Sequence, residues 1–263
     1  MTILLDEKTI ALAQASNTGF PTAENSGWSK SIDLCEMAAL QNFELYSSVL
    51  ESLAFRKMSM LHKLLLKDCL LTSATLQDVS SLLDVFLESC HLKSLSLQTV
   101  HALKNLNLIM SSFESIDLQE VQSIENLGFF KCDLLNMHSI CMGLKTTKSL
   151  KCLVIDECTG FMKLPYEISE ISGLEVLHLD LKQLDSVDVG KYTSESEEPD
   201  CVQLKESFRL PSTLRDCSIY VNNDLVKSIM GIWFEKCDRS QLRLVINEND
   251  YVVTDDYQIV RRE

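Results

Sequence analysis

Between Leu40 and Leu134 the chain repeats itself every 21 residues. Frames beginning at Leu40, Leu61, Leu82, Leu103 and Ile124 place apolar residues at positions 1, 4, 6 and 11 of every copy. They read Leu40, Phe43, Leu45, Leu50; Leu61, Leu64, Leu66, Leu71; Leu82, Val85, Leu87, Leu92; Leu103, Leu106, Leu108, Phe113; and Ile124, Leu127, Phe129, Leu134. Apolar residues make up 46% of the chain. Agreement at all of these positions by chance therefore has a probability of about two in ten million. Position 9 is always small: Ser48, Cys69, Cys90, Ser111, Cys132. The frame is L-x2-L-x-L-x2-(C/S)-x-L.

Positions 4 and 6 alternate with positions expected to be exposed, so they point inward from a short strand, and positions 1 and 11 close the coil on either side. Successive strands then stack in parallel about 4.8 Å apart. A thiol or hydroxyl at position 9 can turn inward and satisfy backbone groups of the next coil. Such residues form a structural ladder of Ser48, Cys69, Cys90, Ser111, Cys132 and, beyond the regular frames, Cys158. The returns repeat as well: Ala74, Leu76, Val79; Leu95, Leu97, Val100; Ile116, Leu118, Val121. At about ten residues they are too short for a long helix and are expected to be extended or 3₁₀.

This frame resembles the leucine-rich repeat, LxxLxLxxNxL, in which Cys or Ser often replaces Asn. Looser copies extend it: Leu150, Leu153, Ile155, Cys158; Leu174, Leu177, Leu179, Leu184; and Leu214, Cys217, Ile219, Asn222. The run Leu164-Pro165 to Ile171, leading into Leu174 and Leu177, resembles the LPxxIxxLxxLxxLxL consensus of plant-type members. The resemblance implies an α/β solenoid with a curved parallel sheet on its concave face, short 3₁₀, extended or helical returns, and irregular caps. Residues 1–39 are then the N-terminal cap, with a helix expected around Leu4 to Ala15. Residues 40–222 form the solenoid, and 223–263 the C-terminal cap. In that cap Asp224 begins a helix reaching about Lys236, and Leu242 to Ile246, Tyr251 to Val253 and Tyr257 to Val260 read as short strands.

The frame is lost over 185–205. Asp185 to Asp200 holds six acids and one base, a composition that cannot bury enough apolar area to order itself. It reads as a projecting acidic loop, with Ser194 as a candidate phosphosite three residues before Glu197.

Net charge is -14, which disfavours nucleic acid and anionic membranes and favours a basic protein surface. The N-terminus MTILLDEK is acidic where a secretory signal is basic, and no 18-residue apolar run follows, so a cytoplasmic or nuclear setting is expected. Ten cysteines invite a metal reading. No CxxC pair occurs, however, and periodicity already explains the ladder thiols, so no metal or cofactor is expected. GxxxxGK[ST], GxGxxG, GxSxG and HExxH are absent, and the five histidines have no triad-like company, which argues against an enzyme.

Function is then expected on the outward strand positions, 5 and 7. Leu65, Phe86, Ile109, Met110 and Phe130 are apolar where solvent should be, with Lys67 and Glu88 as a rim on one side and Asp156 and Asp180 as an acidic rim on the other. Exposed apolar surface with aromatic anchors and a charged border marks a partner-binding site. The expected function is non-enzymatic: an interaction module, adaptor or substrate receptor. The alternatives are the repeat portion of an immune receptor, a phosphatase-regulatory subunit, or an enzyme with an unrecognised site. Residues 1–39 lack an F-box pattern, which counts against the substrate-receptor role.

Overall fold

The computed structural model describes residues 2–5, 31–118, 120–134, 140, 143–144, 147–160, 168, 171–182, 213–221, 242–246, 249–253 and 259–261. Its regular elements are almost entirely strands. In chain order the first eleven are β1 (Thr2–Leu5), β2 (Ser31–Cys35), β3 (Asn42–Tyr46), β4 (Val49–Arg56), β5 (Lys63–Lys67), β6 (Leu70–Gln77), β7 (Asp84–Glu88), β8 (His91–Gln98), β9 (Asn105–Ile109), β10 (Ser112–Asp117) and β11 (Asn126–Phe130). They are followed by β12 (Cys152–Asp156), β13 (Val176–Asp180), β14 (Asp216–Val221), β15 (Leu242–Ile246), β16 (Asn249–Val253) and β17 (Ile259–Arg261).

Odd and even strands of the regular region go to different sheets. The long sheet runs β1-β3-β5-β7-β9-β11-β12-β13-β14-β15-β16-β17, and a second sheet runs β10-β8-β6-β4-β2. The chain is thus a parallel β-solenoid, and one 21-residue frame is one turn of it. Register proves the point. Leu64 pairs with Val85 and Val85 with Leu106 on the long sheet, while Ser52 pairs with Ser73 and Ser73 with Ser94 on the other. Among the described strands the only antiparallel pairs are β15 with β16 and β16 with β17, closing the end of the long sheet.

The second sheet decides between the forms expected for the returns. Over Val49 to Asp117 they are extended, as strands that pair with one another. Their alternation explains this: Leu95 and Leu97 point inward two residues apart, so the returns have the period of a strand. Helical backbone appears in longer turns instead, at Ile140, Gly143 and Leu144, with a 3₁₀ residue at Ile168. A typical coil buries Leu82, Val85, Leu87, Leu92, Leu95, Leu97 and Val100, all at 2% exposure or less. Their side chains meet the same residues of the coils above and below, forming one continuous core.

Two corners per coil join the sheets, and both use left-handed backbone without glycine. Position 8 supplies Ser47, Asp68, Ser89, Met110 and Lys131, with φ between 46° and 54°; position 18 supplies Glu36, Lys57, Asp78 and Thr99, with φ between 54° and 59°. Each of these residues at position 8 donates its N–H to the position-7 carbonyl of the following coil, as Asp68 does to Glu88 at 2.9 Å and Met110 to Phe130 at 2.7 Å. The strain of a side chain at positive φ is thereby offset by a hydrogen bond that ties coil to coil.

The N-terminal expectation also changes. Thr2–Leu5 is a strand in register with β3, so the helix expected around Leu4 to Ala15 does not begin at Leu4, and its remaining residues lie outside the described ones; β2 continues the second sheet one coil before the first complete frame. The strands expected at the C-terminus are present as β15, β16 and β17. The helix expected over 224–236, the acidic loop 185–205 and Ser194 lie outside the described residues.

Candidate functional site

The ladder forms as the frame requires. Ser48, Cys69, Cys90, Ser111, Cys132 and Cys158 are all buried. Cys90 Sγ donates to the Glu88 carbonyl at 3.3 Å and contacts the Leu66 carbonyl of the preceding coil at 3.4 Å. Ser111 Oγ reaches Ile109 and Leu87 in the same way, at 2.8 and 3.4 Å, and accepts the Cys90 N–H at 3.0 Å. Cys132 repeats the pattern on Leu108 and Phe130. In each thiol pair, Cys69–Cys90 and Cys132–Cys158, one S–H can stabilise only one thiolate. The hydrogen bond with its neighbour, and then burial, push Cys90 and Cys158 far above the ordinary thiol range. The same hydrogen bonds lower Cys69 and Cys132, and all four sulfurs are buried in the stack, as a ladder requires.

The outward face of the long sheet is ordered by the same register. Position 5 runs Glu44, Leu65, Phe86, Asn107, Gly128, Val154, His178, Ser218; position 7 runs Tyr46, Lys67, Glu88, Ile109, Phe130, Asp156, with Asp180 beside Tyr220 further on. Leu65 and Phe86 are direct cross-strand partners, and so are Ile109 and Phe130. The two pairs are diagonal neighbours, within reach of large side chains. All four are half-buried, not surrounded by solvent.

Phe130 owes its pose to Gly128. A Cβ at residue 128 would lie 2.6 Å from Phe130 Cε2 and 2.7 Å from Asn107 Oδ1, so the ring leans over bare backbone beside the Asn107 amide, which separates it from Phe86 in the position-5 row. Charges frame the strip. Lys63 Nζ sits 5.7 Å from the centre of the Phe86 ring, and Lys67 is paired to Glu88 at 2.7 Å. Hydrogen bonds from Asn105 to Asp84 and from Asn126 to Asn105, at 2.5 and 2.6 Å, run beside it at position 3.

Two expected site residues are elsewhere. Met110 is not on the sheet face: it occupies the left-handed corner after β9, 51% exposed and turned off the strip. Asp180 is not a solvated rim residue. It is 4% exposed, accepting the Lys182 N–H at 3.0 Å and facing Lys182 Nζ at 3.1 Å. The chain turns directly after β13, which brings Lys182 back over the carboxylate.

The second half of the face holds an arrangement that the repeat frame conceals. His178 Nε2 donates to Asp156 Oδ1 at 3.2 Å, and its ring lies 4.9 Å from that of Tyr220. Lys182 Nζ stands over the other side of this patch, 5.3 Å from the Tyr220 ring centre. His178 thus has an acidic partner after all. The pairing joins position 5 of one coil to position 7 of the coil before it, a diagonal relation that reading down columns does not reveal. Solvent-facing apolar residues also occur off this face, chiefly the cross-strand neighbours Val49 and Leu70 at the start of β4 and β6, 59% and 48% exposed.

A polar cleft of about 660 Å³ opens at the opposite corner, lined by His101, Glu120, Gln122, Ser123 and Ser149. No group of three metal-ligating side chains is assembled among the described residues, and no described helix is long and apolar enough to cross a membrane. No family model matches the chain, and no curated protein does.

Proposed function

We propose that this chain is a solenoid of the leucine-rich-repeat type that works without catalysis, as an adaptor-like module binding a protein partner on the outer face of its long sheet. The frame supports the family reading: position 9 carries an inward Cys or Ser where the consensus carries Asn, and it makes the backbone contacts that a ladder residue must make. The helical returns of the α/β type belong to this proposal, through the residues of the longer turns.

The observation that carries the functional reading is the pair of cross-strand apolar contacts, Leu65 with Phe86 and Ile109 with Phe130, set diagonally to each other on the outer face and bordered by charge. Apolar side chains with an aromatic centre and a polar border are what interface cores are made of. The acidic balance of the chain suits a partner with basic surface, and the free thiols at the described cysteines suit the reducing cytoplasm or nucleus. Affinity capture from lysate tests it. Proteins retained by the wild type are expected to be lost with a Phe86→Asp, Phe130→Asp double variant whose thermal unfolding is unchanged. Retention of the same proteins by the double variant would move the site off this face.

A further inference from the structure

The apolar strip is not symmetric along the solenoid. At the β5–β7 end charges of both signs border it: Lys63 lies over the Phe86 ring, and Lys67 is paired to Glu88, the in-register neighbour of Ile109. At the other end the strip stops at Phe130, because its in-register neighbour is Asp156. The Asp156 carboxylate is about one-third exposed and carries a histidine hydrogen bond in place of a full cation. It stands between two aromatic surfaces, Phe130 on one side and His178 with Tyr220 on the other.

One coil further along, the chain shows how a cation is held on this face. Lys182 places its ammonium against the Asp180 carboxylate at 3.1 Å and over the Tyr220 ring at 5.3 Å. Carboxylate plus aromatic face is the combination that attracts ammonium and guanidinium groups most strongly. Asp156 offers the same combination, facing outward.

Resting on the docking reading above, we infer that the partner lays one amphipathic segment across the strands, with apolar side chains over Leu65, Phe86, Ile109 and Phe130 and a lysine or arginine side chain on Asp156. Leu65 and Asp156 lie four strand spacings apart in the sheet order, about 19 Å at the usual spacing. An extended segment covers that distance in about six residues and a helix in about thirteen. At the first end Glu88 is already paired to Lys67, so the basic residue is favoured at Asp156 and the face selects direction as well as composition.

Selection of random displayed peptides on the purified full chain tests both levels. Enriched peptides are expected to combine large apolar residues with a lysine or arginine toward one end. A synthetic peptide from the pool, followed by fluorescence anisotropy, is expected to lose about thirtyfold in affinity to Phe86→Asp. Asp156→Lys should weaken it about tenfold, and exchanging the peptide's basic residue for glutamate should recover binding to that variant. Thermal melts monitor folding, and Asp156→Asn replaces the lysine variant if the latter unfolds. Peptides that need Phe86 but are indifferent to residue 156 would overturn the inference and leave the docking face standing. Peptides indifferent to Phe86→Asp, or no enrichment at all, would overturn both.

Discussion

At the scale of single residues, one position decides between core and face. Leu87 is fully buried and its neighbour Glu88 points outward. Leu87→Ala is expected to cost about 2 to 5 kcal/mol, since it empties a packed interior. Glu88→Ala should cost at most about 1 kcal/mol, the worth of a half-exposed pair with Lys67. Denaturant titration of the two variants checks this, and equal losses would contradict the alternation. The corners give a less familiar test. Thr99 holds φ 57°, a conformation that a β-branched side chain resists and asparagine tolerates. Thr99→Asn should therefore raise the urea midpoint by the equivalent of about 1 kcal/mol at unchanged slope. A lowered midpoint would mean that the corner is not left-handed.

Elements show which features the sequence could and could not reveal. Strands of the long sheet were legible because positions 4 and 6 are apolar in every frame, two residues apart, with no such constraint on positions 5 and 7. The second sheet was harder to see: its corners are Glu36, Lys57, Asp78 and Thr99, with no glycine or asparagine to announce a turn. The burial of Asp180 depends on Lys182 folding back after β13, and the His178–Asp156 contact is diagonal between coils, so neither appears in a column. The ladder, by contrast, was fully readable, and it predicts reactivity. Cys69, Cys90 and Cys132 should stay unlabelled by a bulky maleimide in the native protein while exposed Cys35 reacts; rapid native labelling of all four would remove the ladder. A further column runs along the corner before the long sheet, where Glu125 accepts hydrogen bonds from Lys104 and from Lys151, the latter at 3.2 Å. These donors hold its carboxyl below the ordinary glutamate range. The stabilisation is thus present above the unfolded-state value and fades as pH falls through the lower folded one. Wild type should be more stable than Glu125→Gln at neutral pH, and the difference should close in acid. A gap that widens in acid would reverse the assignment.

For the whole molecule, stacking means that each coil is supported mainly by its two neighbours, so the functional strip exists only because several coils agree in register. Leu65, Phe86, Ile109 and Phe130 come from four consecutive frames. A partner segment crossing them reads the solenoid, not any one repeat. The most direct measurement removes residues 82–102, one complete frame, and compares the product with a deletion of residues 82–101. In the first, β5 meets β9 with Leu64 facing Leu106 and every later side chain in place. It should keep the far-ultraviolet circular dichroism of a β protein and unfold cooperatively, at reduced stability. In the second, the chain is one residue out of step, which turns buried positions outward, and no cooperative transition should remain. If both deletions behave alike, the 21-residue frame is not one turn of this structure.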